Sequence, residues 1–457
     1  MMTDRKGHNE RLRALLAEAE WTSAALARAV NIAGAEVGLG LSYDRTSVSH
    51  WLSGTQPRRR IPQLVAEAFS RRLGRAITPS AAGFTAPDTE TAGAEPGAPR
   101  DADAVHQLTA LVCSDTDPLH RVSLQRSPYE VELPLAPWHP VKPSAAGPTD
   151  RTPGIRGTRT SRVGKTEVAT VRGAVESFAS GLDRHGGGHA RSALCAYLAD
   201  DVVPWLHHSA NTQAGRQLRK ESAHLVFVLA RQYEDCGMQG LAQRYFAGAM
   251  RLANEAEDRV TWAMALRALS SQAATLNHRR IALNHGEGAL ASLPPEAPPA
   301  VRSFVTAQLA VVRAMTNDQS GALAALADAE RATDQADSEP SPFTAYPRAA
   351  LEFQRAQTLR SLGDIGGASK ALTASLAHRS PDDRRGHALT CAVRVHLLLR
   401  AGHVEEAGAN WLAFNRAGTG LQSARVNRAG RSLQRAFLPY RSQPTVKALL
   451  NTPGSLS

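Results

Sequence analysis

Apolar positions recur at helical spacing in two stretches, residues 1 to about 84 and from about 166 nearly to the end. In the first, Leu12, Leu15 and Leu16 form an i, i+3, i+4 stripe within Asn9–Ala19. Leu26 and Val30 mark a second helix, Ala24–Ala33, which Thr22 or Ser23 can cap. A connection through Gly34, Gly38 and Gly40 leads to Asp44, an N-cap for a third helix, Arg45–Ser53. Gly54 ends that helix and Pro57 prevents its continuation. The fourth, Pro62–Leu73, turns Leu64, Val65, Ala68, Phe69 and Leu73 to one side.

Between the periodic stretches, residues 85–165 are rich in Pro, Gly and Ala and read as a largely disordered linker. One short helix is expected at Asp103–Val112, and Pro118–Pro140 has no assignable pattern beyond an irregular, extended run. The C-terminal stretch repeats. A glycine or polar turn followed by a small residue recurs at Gly237–Ala242, Asn277–Ala282, Asp318–Ala322, Gly363–Ala368 and Gly402–Ala407, and the alanines are 40, 40, 46 and 39 residues apart. A period near 40 indicates stacked helical hairpins, each pair burying its faces against the next. Proline-bearing connections, as in Pro294–Pro299 and Ser380–Pro381, separate the hairpins.

The expected architecture is all-α: an N-terminal domain (1–84), the linker (85–165), a helical connector (166–215), hairpin repeats (216–440) and a tail (441–457). Composition agrees, because hydrophobic residues are 42% of the chain and aromatics only 5%, with Ala and Leu prominent. The four cysteines lie far apart, as expected of buried thiols in a reducing compartment rather than of disulfides or a zinc site. No apolar run reaches the roughly 20 residues a membrane span needs, and the first residues lack the apolar core of a secretory signal. A cytoplasmic location, nucleoid-associated when DNA is bound, and no membrane partner are therefore expected. The net charge of +11 favours polyanionic partners, nucleic acid first among them.

The third helix carries the candidate chemistry. Val48, Trp51 and Leu52 share one face and must anchor it, whereas Arg45, Thr46, Ser47, Ser49 and His50 share the other. Short hydrogen-bonding side chains plus an arginine, with no acid except the cap, suit base reading in a DNA major groove. Arg58, Arg59 and Arg60 follow at once, placed to neutralise flanking phosphates. From Arg45 to Arg75, seven arginines face one acid, Glu67, a net of +6.

This region resembles the Cro/repressor-type (XRE) helix-turn-helix family through Ser47-Val48-Ser49-His50-Trp51-Leu52-Ser53-Gly54 and the proline after it. The resemblance implies that Arg45, Thr46 and His50 face bases. The connection Gly34–Tyr43 is longer than the family's tight turn. The repeats resemble the tetratricopeptide (TPR) family, most closely through Val226, Leu229, Ala230 and Tyr233 followed by Ala242, Phe246 and Ala249. The combination resembles actinomycete regulators of development and secondary metabolism, with Asp183–Arg191 and Leu241–Phe246 carrying the likeness. It implies a regulator of transcription.

Other clusters carry less. His185 and His189, near His207 and His208, suggest a metal, but the three glycines between the first pair indicate a loop and no Cys or carboxylate has ligand spacing. Arg184 and Arg191 beside that loop are placed to hold a phosphate or a partner's carboxylate. Gly164-Lys165-Thr166 imitates a P-loop end without the strand or the spacing. Trp205, Tyr245, Trp262 and Trp411 read as core. No catalytic constellation emerges, so neither enzyme activity nor a cofactor or metal is expected. The expected partners are double-stranded DNA, a second copy of the chain in a homodimer, and a peptide, small effector or protein on the concave face of the repeats. The competing expectation is a TPR-like adaptor whose basic head does not read DNA; acids on the exposed face of the third helix would favour it, and none is present.

Overall fold

The computed structural model describes residues 8–58, 60–85, 103–139, 164–209, 212–336, 345–443 and 446–447, and every element among them is helical. The head contains α1 (Glu10–Glu18), α2 (Ser23–Glu36), α3 (Arg45–Leu52) and α4 (Ile61–Leu73). Asn9 caps α1 and Thr22 caps α2, each side chain accepting a backbone N–H of the first turn. The expected stripes meet in one core of Leu12, Leu26, Val30, Val48, Leu64, Val65 and Phe69, closed over by Ile77, Ala82 and Phe84. Helix α2 runs a turn past the expected Ala33. Gly34 is a helical close-approach residue rather than part of a loop, since a Cβ there would lie 2.3 Å from Leu41 Cδ1.

The linker expectation needs correction over residues 103–139. That span forms α5 (Ala104–Thr116) and α6 (Pro118–Gln125), followed by an irregular strap to residue 139. Helix α5 extends beyond the expected Val112 and buries Val105, Leu108, Leu111 and Val112 in the largest core. The buried Asp115 at its end accepts hydrogen bonds from the Tyr233 hydroxyl and, at 2.7 Å, from that of Tyr245. The strap follows the first repeat helices. Gln243 hydrogen-bonds both backbone groups of Glu130 (2.9 and 2.7 Å), and Trp138 meets Trp262 edge-on. A short apolar stripe and one buried carboxylate are enough to fix this span against the repeats. Residues 86–102 and 140–163 lie outside the described residues.

Next come α7 (Lys165–His185), α8 (Arg191–Tyr197), a π turn (Leu198–Val202) and α9 (Val203–His208). Five helix pairs follow: α10 (Gln213–Asp235) with α11 (Gln239–Glu255), α12 (Arg259–Thr275) with α13 (Arg279–Ser292), α14 (Pro299–Met315) with α15 (Gln319–Asp334), α16 (Arg348–Ser361) with α17 (Ile365–Ala377), and α18 (Arg384–Arg400) with α19 (Val404–Gly418). A last helix, α20 (Ala424–Phe437), packs on α18. Each pair turns through one left-handed residue, at Gly237, Asn277, Asn317, Gly363 and Gly402. The small residues that follow (Ala242, Ala282, Ala322, Ala368 and Ala407) are fully buried, where they let two helices approach closely. Of the aromatics read as core, Tyr245, Trp262 and Trp411 are buried and Trp205 is half-buried. Among the cysteines, Cys195 and Cys391 are buried, Cys236 is half-buried, and Cys113 is exposed, contrary to expectation.

The span expected as a connector closes the repeats instead. Helix α7 packs against both α10 and α18, the first and fifth pairs. The Gly186-Gly187-Gly188 loop after it touches both ends. Gly188 N donates to Gln422 O and Gln422 N to His185 O (2.8 Å each), while Gly187 N donates to Asp235 on α10 (2.8 Å). Ion pairs Arg385–Asp183 (2.8 Å), Arg184–Asp382 (3.0 Å) and Arg385–Asp235 (3.6 Å) run alongside. The pairs therefore form a ring, with α7 as its clasp.

A Cβ on Gly187 would sit 2.4 Å from the Gln232 carbonyl oxygen, whereas one on Gly173 in α7 would meet nothing within 4 Å. Gly187→Ala is therefore expected to destabilise the ring by about 1–3 kcal/mol through overpacking against backbone. Gly173→Ala is expected to stabilise it by about 0.5–1 kcal/mol, because exposed mid-helix glycine gives way to a better helix former. Thermal unfolding of the two variants beside wild type checks the opposite signs.

Candidate nucleic-acid interface

Helix α3 is defined at its start by a capping box. Asp44 Oδ1 accepts from Ser47 N and Ser47 Oγ, both at 2.9 Å, and Asp44 N donates back to Ser47 Oγ. The hydrogen bonds from the Ser47 backbone and hydroxyl hold the Asp44 carboxyl below its ordinary value, so it stays ionised as a cap. Ser47, expected among the base-reading residues, thus has its hydroxyl engaged in starting the helix.

The anchor face is as expected. Val48 and Trp51 are buried, with the Trp51 ring 5.1 Å from Tyr43 and 6.4 Å from Phe84, both edge-on. Leu52 is half-buried against the same core, and its carbonyl accepts from Asn9 N at 2.9 Å. Two asparagines, neither expected to bear on α3, position this helix. The Asn31 amide grips both backbone groups of Tyr43 (2.8 and 2.9 Å) and so fixes the long connection into α3. The buried Asn9 ties α1 to Ala82 O (3.0 Å) and, through its backbone, to the end of α3. Polar residues flanking apolar stripes were the available signal, but nothing in spacing said which backbone groups they would meet.

On the opposite face Arg45, Thr46, Ser49 and His50 are exposed. Arg58 is exposed, and Arg59 lies outside the described residues. Arg60 is exposed yet donates from Nη2 to Ser123 Oγ on α6 at 3.0 Å. Among the described residues, neither the Arg45 nor the Arg58 side chain has an ion-pair or hydrogen-bonded partner.

The other arginines counted in this region are engaged within the head, Arg71 half-buried and Arg72 and Arg75 exposed. Arg72 Nε donates to Ala19 O (2.9 Å) and Arg75 pairs with Glu18 (2.6 Å). Arg71 is bidentate on Glu36 (3.1 and 2.8 Å) and also bonds Glu67 (2.8 Å), which raises its pKa against the opposing effect of burial. Arg71 and Arg75 are thus balanced by acids of the head, which the raw count over this region did not show.

Glu67 reaches beyond the head. Its Oε1 lies 2.8 Å from His278 Nε2, in the turn between α12 and α13, and both side chains are buried. Tyr129 of the strap stacks on the His278 ring at 5.1 Å. Burial works to raise the Glu67 carboxyl, but the His278 hydrogen bond and the charges of His278 and Arg71 outweigh it and hold the pKa below its usual range. The acid that lowered the net charge in the sequence is the post by which the head stands on the ring.

Of the four histidines that suggested a metal, His185 and His189 belong to the clasp and His207 and His208 end α9. His185 and His189 rings lie 4.5 Å apart, and among the described residues no group of three or more His, Cys, Asp or Glu could hold a metal ion. Arg184, read as an anion contact, pairs with Asp382, and Arg191 lies over the Tyr233 ring at 5.0 Å. No helix among the described residues is long and apolar enough to cross a membrane.

The family described as the SP15 N-terminal domain matches residues 12–85, which is the head from the third residue of α1 onward. No curated protein matches the chain.

With its pKa depressed in the fold, Glu67 adds stability that is complete above the unfolded carboxylate value of about 4.3 and is lost as pH falls through the folded value. Glu67→Gln is expected to weaken head attachment at pH 7 by up to about 3–5 kcal/mol, as for removal of one partner of a buried pair. Thermal unfolding from pH 7 to pH 3 should show the gap between variant and wild type narrowing only below the unfolded value.

Proposed function

We propose that this chain is a sequence-specific DNA-binding transcriptional regulator. Its head acts as a helix-turn-helix of the Cro/repressor type, with α3 as the reading helix. The observation that carries the proposal is the two-sidedness of α3. Val48 and Trp51 lock one face into the core, while Arg45, Thr46, Ser49 and His50 stand exposed on the other. That arrangement places short donors, acceptors and one guanidinium on a rigid element of the size a major groove admits. Arg58, with Arg59 and Arg60, supplies the phosphate contacts that set register without reading sequence.

One such head contacts only a few base pairs, so two copies of the chain on a two-fold or repeated operator give the affinity a regulator needs. The TPR-like ring serves that homodimer and receives a peptide, small effector or protein that changes how the heads engage DNA.

The variants separate reading from holding. Arg45→Ala and His50→Ala are expected to lose on the order of 1–3 kcal/mol at the contacted base pairs and to relax preference there. Arg58→Ala combined with Arg60→Ala is expected to weaken binding to all duplexes and to make the salt dependence shallower. Fluorescence anisotropy on preferred and scrambled duplexes across a salt series distinguishes the two. Unchanged sequence preference in Arg45→Ala would remove α3 from the reading role.

A further inference from the structure

Closing the ring turns one side of α7, α10, α12, α14 and α18 toward a shared interior that water still enters, since the Asp183 side chain is 42% exposed while pairing with Arg385 across the clasp. Arg231 on α10 and Arg267 on α12 belong to that wall. Arg425 joins them from the first turn of α20, which the clasp brings beside the α10–α11 turn; a Cβ on Gly237 would lie 3.8 Å from that of Ala424. The acids nearby are already committed. Asp183 pairs with Arg385, Asp235 accepts from Gly187 and lies 3.6 Å from Arg385, and Asp383 caps α18 and pairs with Arg379. The Arg231 and Arg425 side chains have no hydrogen bond or ion pair among the described residues, and the Arg267 guanidinium donates only Nε, to Phe304 O (3.1 Å). Among the described residues, Glu234 adds its charge to this group, and Asp183 and Asp383 act on Arg231 as well as on the arginines they pair with.

Asp183 and Asp383 are thus shared between Arg231 and the arginines they pair with, and guanidiniums deep in the ring that outnumber the carboxylates are an arrangement a fold keeps only if something compensates it. Burial and the charges of Arg231 and Arg425 push the Arg267 pKa down to about 10, the direction expected of a cation short of counter-charge. Beside the cations lies an apolar floor. The Arg267 guanidinium is 3.9 Å above the Phe304 ring, Tyr346 meets that ring edge-on at 5.4 Å, and the buried Tyr346 hydroxyl has no hydrogen-bond partner among the described residues. Guanidinium forks match carboxylate and phosphate oxygens alike.

We propose that the ring interior is a binding site for a small organic anion, with its carboxylate or phosphate among Arg231, Arg267 and Arg425 and its apolar body on Phe304 and Tyr346. The Tyr346 hydroxyl supplies a further donor. The site requires nothing of the head, so it stands or falls apart from the DNA-binding proposal.

The test uses the full chain without DNA, by calorimetric titration and thermal shift with benzoate, phenyl phosphate and inorganic phosphate. At least one of the two aromatic probes is expected to bind saturably, one per chain, more tightly than inorganic phosphate, and to raise the unfolding midpoint. Whichever of them binds more tightly identifies the anionic group. Arg267→Met keeps the packing on Phe304 and removes the charge. It is expected to weaken binding at least about tenfold while leaving the ligand-free midpoint equal or higher, since an uncompensated cation is gone. Arg231→Gln gives a second variant should the first misfold. Absence of saturable binding by both aromatic probes at millimolar concentration overturns the proposal, as does binding that neither variant weakens.

Discussion

Two backbone hydrogen bonds between the α7 loop and Gln422, made where three successive glycines leave no side chain in the way, convert a row of helix pairs into a ring. Stacked hairpins alone contact only their neighbours, so stability and shape add up locally. The clasp adds contacts between the first and last pairs, with Arg385 reaching Asp183 and Asp235 from the far end of the chain. A single β-carbon at Gly187 would press on the α10 backbone, which makes the closure a steric requirement on the sequence.

What lies outside the ring depends on it in turn. Helix α5 and the strap take their conformation from α10 and α11, through Asp115 beneath Tyr233 and Tyr245 and through the Gln243 clamp on Glu130. The strap then lays Tyr129 over His278, and that ring receives Glu67 from α4. A chain of buried contacts thus runs from repeat core to head. On the proposed reading, it fixes the direction in which α3 presents Arg45 and His50, which in a flexibly tethered head would be free to vary.

The helices of the head were legible because caps, stops and apolar stripes agreed with one another; Asp44, Gly54 and Pro57 bracketed α3 within a residue. The repeat turns were legible for the same reason, since a left-handed residue and a buried alanine recur in each. Contacts distant in sequence were not. The helix at Asp103–Val112 showed in the apolar pattern, but nothing there announced that the span to His139 packs on the repeats, because its order comes from surfaces far along the chain. The loop Asp183–Arg191 stood out as a motif, but its role depends on Gln422, more than 200 residues away, and no periodicity reports such a pairing. Ser47 was placed on the exposed face by spacing, while its hydroxyl is used by the cap, a choice made by rotamer rather than by position.

Selection of random duplexes on the full chain at two salt concentrations tests whether α3 reads DNA sequence. Sequence reading by α3 predicts recovery of a defined motif, two-fold or repeated, that survives at physiological salt and reports the half-site spacing of paired heads. Recovery of unrelated sequences at low salt only would contradict it, leaving a basic head with general affinity for polyanions and a ring whose partners are proteins or small molecules.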